Sequence, residues 1–574
     1  MRSGLLKAAV IGLFAVLFMG LAHIQIIRSK SYRELSEKNI IRVVPVEAPR
    51  GRIFDRKGRA VVSNKLSFDV SVVYRELTGF DETRLVKILS DVLNVKKAGV
   101  RERLKKAKRT PYIPVVIFDG IDKEKAIVLE EQSFDLKGVI IETRAERDYL
   151  FGSAASHILG HLGEVSEGEL ERLKPYGYRI KDSVGRDGLE GFYNGYLMGK
   201  SGGFLVEVDN RGRQVRMIGL KEPSSGKDMR LTIDMNIQLA AERLMADRKG
   251  AVVAMDPSSG EVLALVSRPS FDPGVFIKTE RSRDRMRLLK NREFPLLNRA
   301  VSGLYSPGSV FKVVVAAAAL ETKRSYEWKE YGCDGAYRLG GRRFRCWKEE
   351  GHGKQHMTEG IKNSCNVYFY RLGKDLGVDR IEAFSNRFGL GRPTGIDLPG
   401  EASGLVPGRL WKRIHKRKSW YEGETINFSI GQGYLLVTPI QALRVMCVIA
   451  NGGNLIRPFL VSGIGQTDIM SVKSAPVGLT ERTLRTIKES LIKVVNDKEG
   501  TGRLAAAEGL TIAGKTGTAQ NPGRKSHSWF GGFAPAEDPK VALIVFIEHG
   551  GKGGVEAARL AKQLFEQIQN EGYL

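Results

Sequence analysis

The stretch Tyr305–Leu320, "YSPGSVFKVVVAAAAL", reads as the mouth and body of a buried helix. Pro307 and Gly308 punctuate its entry and nothing interrupts the apolar run from Val310 to Leu320, so Ser309 falls at or near the first turn. Residues three apart share a helix face, which brings the Ser309 hydroxyl within reach of the Lys312 amine. A capping serine and a snorkelling lysine would look the same. Ser-x-x-Lys also recurs at Ser224–Lys227 and Ser490–Lys493, so the pattern alone decides nothing. What surrounds it decides more. Upstream, "MNIQLAAERLMAD" reads as a helix, and "GAVVAMDP" and "EVLALVS" as two strands joined by the turn Pro257–Gly260. Far downstream come three further strand candidates, "TIAGKTGTA", "HSWFGGFAPA" and "KVALIVFIEH", then a helix with Ala557, Leu560, Ala561, Leu564, Phe565 and Ile568 on one face. These predict one antiparallel sheet of five strands, covered by the first and last helices, with Ser309 opening a long helical insertion.

The chain has 574 residues and 42% hydrophobic content, enough for two or three domains, each with its own core, and too apolar for a disordered protein. A formal charge of +26 predicts an anionic partner. The basic residues are spread out and form no nucleic-acid module, so a membrane is expected and nucleic acid is not. Ala8–Ile27 is a run of 20 residues interrupted only by His23 and Gln25. At ~1.5 Å per residue it spans the ~30 Å of a bilayer core. It reads as a signal anchor whose bulk lies outside the cytoplasm, rather than a cleaved leader. Residues 29–227 are mixed in pattern, with a glycine- and arginine-rich turn at Pro49–Arg59, an amphipathic stretch at Glu82–Lys108 and a capping box of Ser166 with Glu169. Their simplest role is to hold something away from the membrane. The turn Glu222–Asp228 marks the boundary, leaving 228–574 as the second domain.

Four cysteines in so long a chain do not make a disulfide scaffold. Cys333 and Cys346 flank a basic, glycine-rich turn and are followed by His352 and His356. In an oxidising compartment a Cys333–Cys346 disulfide is the first reading, and zinc held by Cys333, Cys346 and His352 is the second. Cys365 and Cys447 sit in apolar surroundings and read as buried thiols. No cofactor is expected.

Two more stretches change the meaning of Ser309. "KNSCNVYFY" contains Ser364 and Asn366 as Ser-x-Asn, and "GKTGT" supplies Lys515, Thr516, Gly517 and Thr518. "GLTIAGKT", Gly509–Thr516, also matches the phosphate-binding loop pattern. That loop needs a helix starting at its lysine, and the glycines that follow, Gly517 and Gly523, will not continue one.

The ordered set Ser-x-x-Lys, Ser-x-Asn, Lys-Thr-Gly resembles that of penicillin-binding proteins and class A β-lactamases. Over nearly its whole length the chain resembles the class B penicillin-binding proteins, in particular the elongation-specific penicillin-binding protein 2 type. "RGRIFDRKG", "RDYLFGSAASHILGHLG" and "GRDGLEGFYNGYLMG" are similar to that family's pedestal signatures. "VVAMDPSSGEVLALVSRPSFDPGVF", "TGIDLPGEASGLVP" and "WYEGETINFSIGQGYLLVTPIQ" are similar to its catalytic-domain signatures. The resemblance implies a multidomain chain: a transmembrane helix, an α+β pedestal of dimerisation type, and an α/β transpeptidase domain. Some elongation-type relatives carry Asp where this chain has Asn366, which leaves division- and sporulation-type members open.

The implied activity is peptidoglycan D,D-transpeptidation on D-Ala-D-Ala stem peptides at the extracytoplasmic face of the bacterial inner membrane. Glycan polymerisation from lipid-linked precursor would fall to a membrane partner of the SEDS type within the elongation machinery, and β-lactams would inhibit covalently. Ser309 would be the nucleophile and Lys312 its base, with a pKa lowered by burial and by Lys515. Ser364 would bridge Lys312 and Lys515 and pass a proton to the leaving amine, while Asn366 would hold Lys312 and the substrate amide. The backbone N–H groups of Ser309 and Thr518 would form the oxyanion hole. Thr516 and Thr518 would take the stem's terminal carboxylate, and Gly517 would keep its strand open to the substrate backbone. The alternatives are a D,D-carboxypeptidase or β-lactamase, and, in another class, a non-catalytic β-lactam receptor or polymerase-activating scaffold. No convincing Glu-x-x-x-Asn loop for a β-lactamase's hydrolytic base lies between Asn366 and Lys515. The basic, aromatic segment Arg409–Glu424 reads either as lining the acceptor side of the site or as a solvated loop.

Overall fold

The computed structural model describes residues 2–574 apart from 31, 33–40, 78–81, 113, 133–137, 177, 179–181, 210–213, 278–280, 470–472 and 522. The chain begins with α1 (Arg2–Ala22), continued by a wider helical turn at His23–Ile27. Among the described residues, the segment long and apolar enough to cross a membrane is Gly4–Ile27, four residues longer at its start than the sequence reading because Gly4, Leu5 and Leu6 extend the run past Lys7.

The chain folds as two compact units. The smaller comprises 1–51, 64–147 and 198–227; the larger comprises 52–63, 148–197 and 228–574. The larger unit therefore draws two segments from within the 29–227 span. The turn at Pro49–Arg59 shows the local cause: Asp55 is fully buried, and its Oδ1 accepts from the backbone N–H groups of Lys57 and Arg59 at 3.0 and 2.8 Å. That places the strand Ile53–Phe54 beside Met229–Leu231, in parallel register.

In the smaller unit the strands Ile41–Val46, Gly202–Val208 and Gln214–Lys221 form an antiparallel sheet. A second cluster packs the strand Val115–Ile121 with two helices, Glu82–Leu93 and Lys97–Arg109, around Val70, Leu85, Leu89, Val100, Leu104 and Phe118. The two helices replace the single amphipathic stretch expected at Glu82–Lys108. Asn94 takes a left-handed conformation (φ 55°) between them and ends the first.

The larger unit is built on five strands: β1 (Gly250–Met255), β2 (Val262–Arg268), β3 (Ala513–Ala519), β4 (His527–Ala534) and β5 (Val541–Ile547). They lie antiparallel in the order β2-β1-β5-β4-β3, so the two strands before the helical insertion and the three after it close one sheet, with β3 at its edge. All residues of β1 and β5 are buried, which is why they read as continuous apolar runs rather than alternating ones. Strand alternation separates the two faces. Ser528 of β4 turns to the C-terminal helix, its Oγ accepting from Ala557 N–H at 3.3 Å, while Gly531, three residues on, faces Met446 in the insertion. The helix α2 (Met235–Met245) precedes the sheet, and the insertion supplies α3 (Lys312–Thr322), α4 (Asn366–Leu376), α5 (Arg409–Lys416), α6 (Glu422–Ser429), α7 (Pro439–Ala450) and α8 (Glu481–Asn496), among shorter turns.

Candidate active site

The Ser309 segment enters α3 through a tight turn, Gly308–Phe311, in which residues three apart eclipse, so Ser309 and Lys312 share one side. Gly308 has φ +56°, and a Cβ there would lie 2.8 Å from the Thr518 carbonyl oxygen. Its N–H donates to the Gly431 carbonyl at 3.0 Å. Gly431 is equally constrained, at φ +73° with its would-be Cβ 2.1 Å from Gly308 O. Only glycine fits at either position. The result is that the backbone before Ser309 is pressed between the edge strand β3 and the 431–433 turn.

Lys312 is fully buried. Its Nζ donates to Ser364 O at 2.8 Å, to Ser364 Oγ at 3.3 Å and to Asn366 Oδ1 at 2.8 Å, and sits 5.2 Å from the Phe369 ring centroid. Burial lowers its pKa to about 8, the nearby thiols opposing it. Ser364 is held ready for this contact by a left-handed backbone, φ 51°, rare for a non-glycine residue and typical of functional sites. Asn366 opens α4, so the motif's two polar groups lie at a helix start.

Lys515 and Thr516 occupy the middle of β3, in register with Gly531 and Phe530. A lysine there is in a strand, not at a helix start, and the phosphate-binding loop reading fails on that ground. Lys515 is fully buried, and its pKa is driven well below the ordinary lysine value by burial and then by Lys312. Its Nζ donates to Thr516 O at 3.2 Å, turned toward its own strand rather than to Ser364. Thr518, exposed on the edge, accepts through Oγ1 from Gly553 N–H at 3.1 Å.

Gly517 has a packing role. A Cβ there would meet Pro307 O at 2.9 Å, Trp529 Cβ at 3.0 Å and Val310 Cγ2 at 3.1 Å. Its bareness lets the Ser309 turn pack against β3, and the space is filled by protein.

Three further contributors carried no role in the sequence reading. Gly431 is described above, and Gln432 Nε2 donates to Thr518 O at 3.4 Å. Thr501 Oγ1 donates to Lys362 O at 3.0 Å and receives Thr516 Oγ1 at 3.4 Å. "GQG", Gly431–Gly433, was the available signal for the first two; Thr501 had none.

The expected Cys333–Cys346 disulfide is not formed, and all four cysteines are free thiols. Both sulfurs point instead at His352 Nδ1, each at 3.6 Å. Cys365, read from sequence as an isolated buried thiol, joins them, so that the ligand atoms of Cys333, Cys346, His352 and Cys365 all lie within 4.8 Å of one another. The Cys346 thiol is held far below its ordinary pKa, first by a hydrogen bond from Cys365, whose own pKa is pushed up in turn. Three cysteine sulfurs and one imidazole nitrogen make a donor set that suits tetrahedral zinc. Cys365 stands between Ser364 and Asn366 and caps α4, its Sγ accepting from Tyr368 N–H at 3.4 Å.

A serine entering a buried helix, a buried lysine of lowered pKa one turn inside it and a second buried lysine on the edge strand β3 together fit a serine acyltransferase of the penicillin-recognising class. The comparisons agree. Residues 250–566 match the family described as penicillin binding protein transpeptidase domain, and residues 45–231 match the penicillin-binding protein dimerisation domain. The chain belongs to the penicillin-binding protein transpeptidases. It is 33% identical to the peptidoglycan D,D-transpeptidase MrdA of Salmonella typhimurium, over 97% of this chain and 93% of that one. The penicillin-binding protein PBP2 of Helicobacter pylori, solved in complex with MreC, superposes with a TM-score of 0.81 at 28% identity, covering 93% of this chain and all of that one. A chain from a peptidoglycan synthase complex that couples polymerisation and crosslinking gives a TM-score of 0.75 at 31% identity, covering 99% and 98%.

Proposed function

We propose that Ser309 attacks the carbonyl between the two terminal D-alanines of a stem peptide and that the chain is a peptidoglycan D,D-transpeptidase of the elongation type. The observation that carries this is the triple hydrogen bonding of the buried Lys312 amine by Ser364 and Asn366. Burial favours the neutral amine, which takes the Ser309 proton as the Oγ–C bond forms. The oxyanion is stabilised by the N–H groups of Ser309 and Thr518, whose backbones meet at Gly308. The C–N bond then breaks, and D-alanine leaves with a proton passed through Ser364. Lys515, Thr516 and Thr518 hold the stem's terminal carboxylate along the β3 edge. An amine of a second stem peptide attacks the ester. The new C–N bond forms, the C–Oγ bond breaks, and the amine's proton returns through Lys312 to Ser309.

In this reading the apolar segment Gly4–Ile27 anchors the chain in the inner membrane with the catalytic unit on the periplasmic side. A SEDS-type polymerase supplies glycan from lipid-linked precursor, and the elongation machinery recruits both; the relatives solved with MreC and in a synthase complex support such partners. The Cys333, Cys346, His352 and Cys365 tetrad would hold zinc, which would fix the turn that carries Ser364 and Asn366. Labelled penicillin tests the core of the reading: one label per chain on Ser309, none on Ser224 or Ser490, and none on the Ser309→Ala chain.

A further inference from the structure

The donor half of the reaction leaves one strongly charged surface of the catalytic unit unused. The donor's anionic end is met by Lys515, and Lys312 is enclosed, yet α5 and the residues after it, "RLWKRIHKRK", carry a dense run of positive charge. Two of these cations are already paired: Arg409 with Asp379, and Lys412 with Glu424, the latter buried at 2.5 and 2.6 Å beneath the Tyr421 ring. Arg413, Arg417 and Lys418 are exposed and have no ionic partner among the described residues. Lys416 is exposed as well, its Nζ 5.9 Å from the Tyr434 ring centroid. What was open in the sequence between a solvated loop and a lining element is thus a helix, pinned by its Lys412–Glu424 pair and holding its remaining cations outward.

This surface is continuous with the catalytic rim. Trp411 packs on Tyr434 with ring centroids 5.1 Å apart. Tyr434 follows the turn in which Gln432 bonds Thr518 O and Gly431 O receives Gly308 N–H. An unbroken path of packed residues therefore leads from the exposed cations to the residue preceding Ser309.

We infer that α5 and the Arg417–Lys418 turn, with Trp411 and Tyr434, form the docking surface of the acceptor strand, a carboxylate-bearing peptide with a free amine. The inference rests on the transpeptidase reading above. Three observations favour this occupant. A second anionic peptide must approach the Ser309 ester after D-alanine leaves, and the donor's own carboxylate is already matched inside the site. The cations lie outside the pocket yet adjoin its rim, where they attract and orient a strand without competing for the donor. Positive surroundings also favour the neutral, nucleophilic form of the acceptor amine. Positioning of this kind is what lets an amine outrun water at the ester.

The test is the full chain bearing Arg413→Glu and Arg417→Glu, with its polymerase partner and lipid-linked precursor, in vesicles of phosphatidylcholine and in vesicles containing phosphatidylglycerol. Penicillin acylation of Ser309, which needs no acceptor, should stay at the wild-type rate. The ratio of cross-linked dimers to tetrapeptides should fall about tenfold in both vesicle types, and the wild-type ratio should fall as salt rises. Unchanged dimers in the variant would overturn the inference, as would a loss confined to phosphatidylglycerol vesicles, which would mark α5, with its exposed Leu410 and Ile414, as a lipid-facing helix. Milder Arg413→Gln and Arg417→Gln changes keep the test valid should the double reversal fail to fold. If the wild-type chain itself made tetrapeptides and no dimers, the transpeptidase reading would fail instead.

Discussion

Lys312 Nζ donates to Asn366 Oδ1 at 2.8 Å while wholly shut away from water. The amide offers the lysine a partner without offering it a negative charge, so burial is left to dominate and the pKa falls to about 8. In the proposed mechanism the neutral amine is the base, and acylation should then rise with pH: below 8 each unit costs about tenfold in neutral amine, and above it the rate levels off. Stopped-flow acylation by a fluorescent penicillin between pH 6 and 9.5 should show this rise with a midpoint near 8. A profile flat across that range would mean Lys312 is not the base that limits acylation.

Asn366→Asp puts a carboxylate where the amide stands. An opposite charge in contact favours the ammonium and moves the lysine's pKa back up. The acylation midpoint should therefore shift upward by about a unit, with the neutral-pH rate reduced roughly tenfold and the high-pH plateau kept. An unshifted midpoint would show that Asn366 does not govern the charge of Lys312.

Much of this was legible before any coordinates. The strands β1 and β5 are apolar throughout because both their faces are covered, and such runs bounded by turns stand out. Ser309 with Lys312 was legible because their spacing is local, and Lys515 to Thr518 because they lie in one strand. Thr501 and Gln432 were not, since each reaches the site across a long sequence separation through a single hydrogen bond. The packing role of Gly517 was not legible, because a bare strand residue looks the same whatever lies beside it; here that is Pro307 and Val310. The smaller unit's discontinuity was hidden because the strand Ala60–Val72 runs unbroken while its residues divide between two units. Cys365 was set aside because its sulfur meets Cys333, Cys346 and His352 only in the folded chain, at a separation that no local spacing in the sequence reveals.

Gly431→Ala places a methyl group 2.1 Å from Gly308 O and forces an alanine to φ +73°. The strain belongs to the same contact that positions Ser309. The cost should be about 1–3 kcal/mol of stability, read as a lowered Tm, together with slower penicillin acylation. Gly452→Ala, at φ +76° but with open space around it, is the control: it bears only the backbone penalty and should acylate at the wild-type rate. Equal acylation by the two variants would disconnect the 431–433 turn from the nucleophile.

The tetrad around Cys365 gives the last expectation. If Cys333, Cys346, His352 and Cys365 hold zinc, the purified chain should contain about one zinc per molecule, with four cysteines unreactive to thiol reagents until a chelator is added or the protein is unfolded. Cys365→Ser removes the ligand that lies within the Ser-x-Asn motif, so it should lose the metal and slow acylation. Cys447→Ser, buried outside the tetrad, should keep the metal and the rate. The comparison separates a metal effect from simple loss of a buried thiol. Because Lys312 bonds to the residues on either side of Cys365, zinc loss should lower the acylation rate over the whole pH range. Non-reducing peptide mapping that finds a Cys333–Cys346 disulfide in metal-free, fully active protein would overturn the zinc assignment.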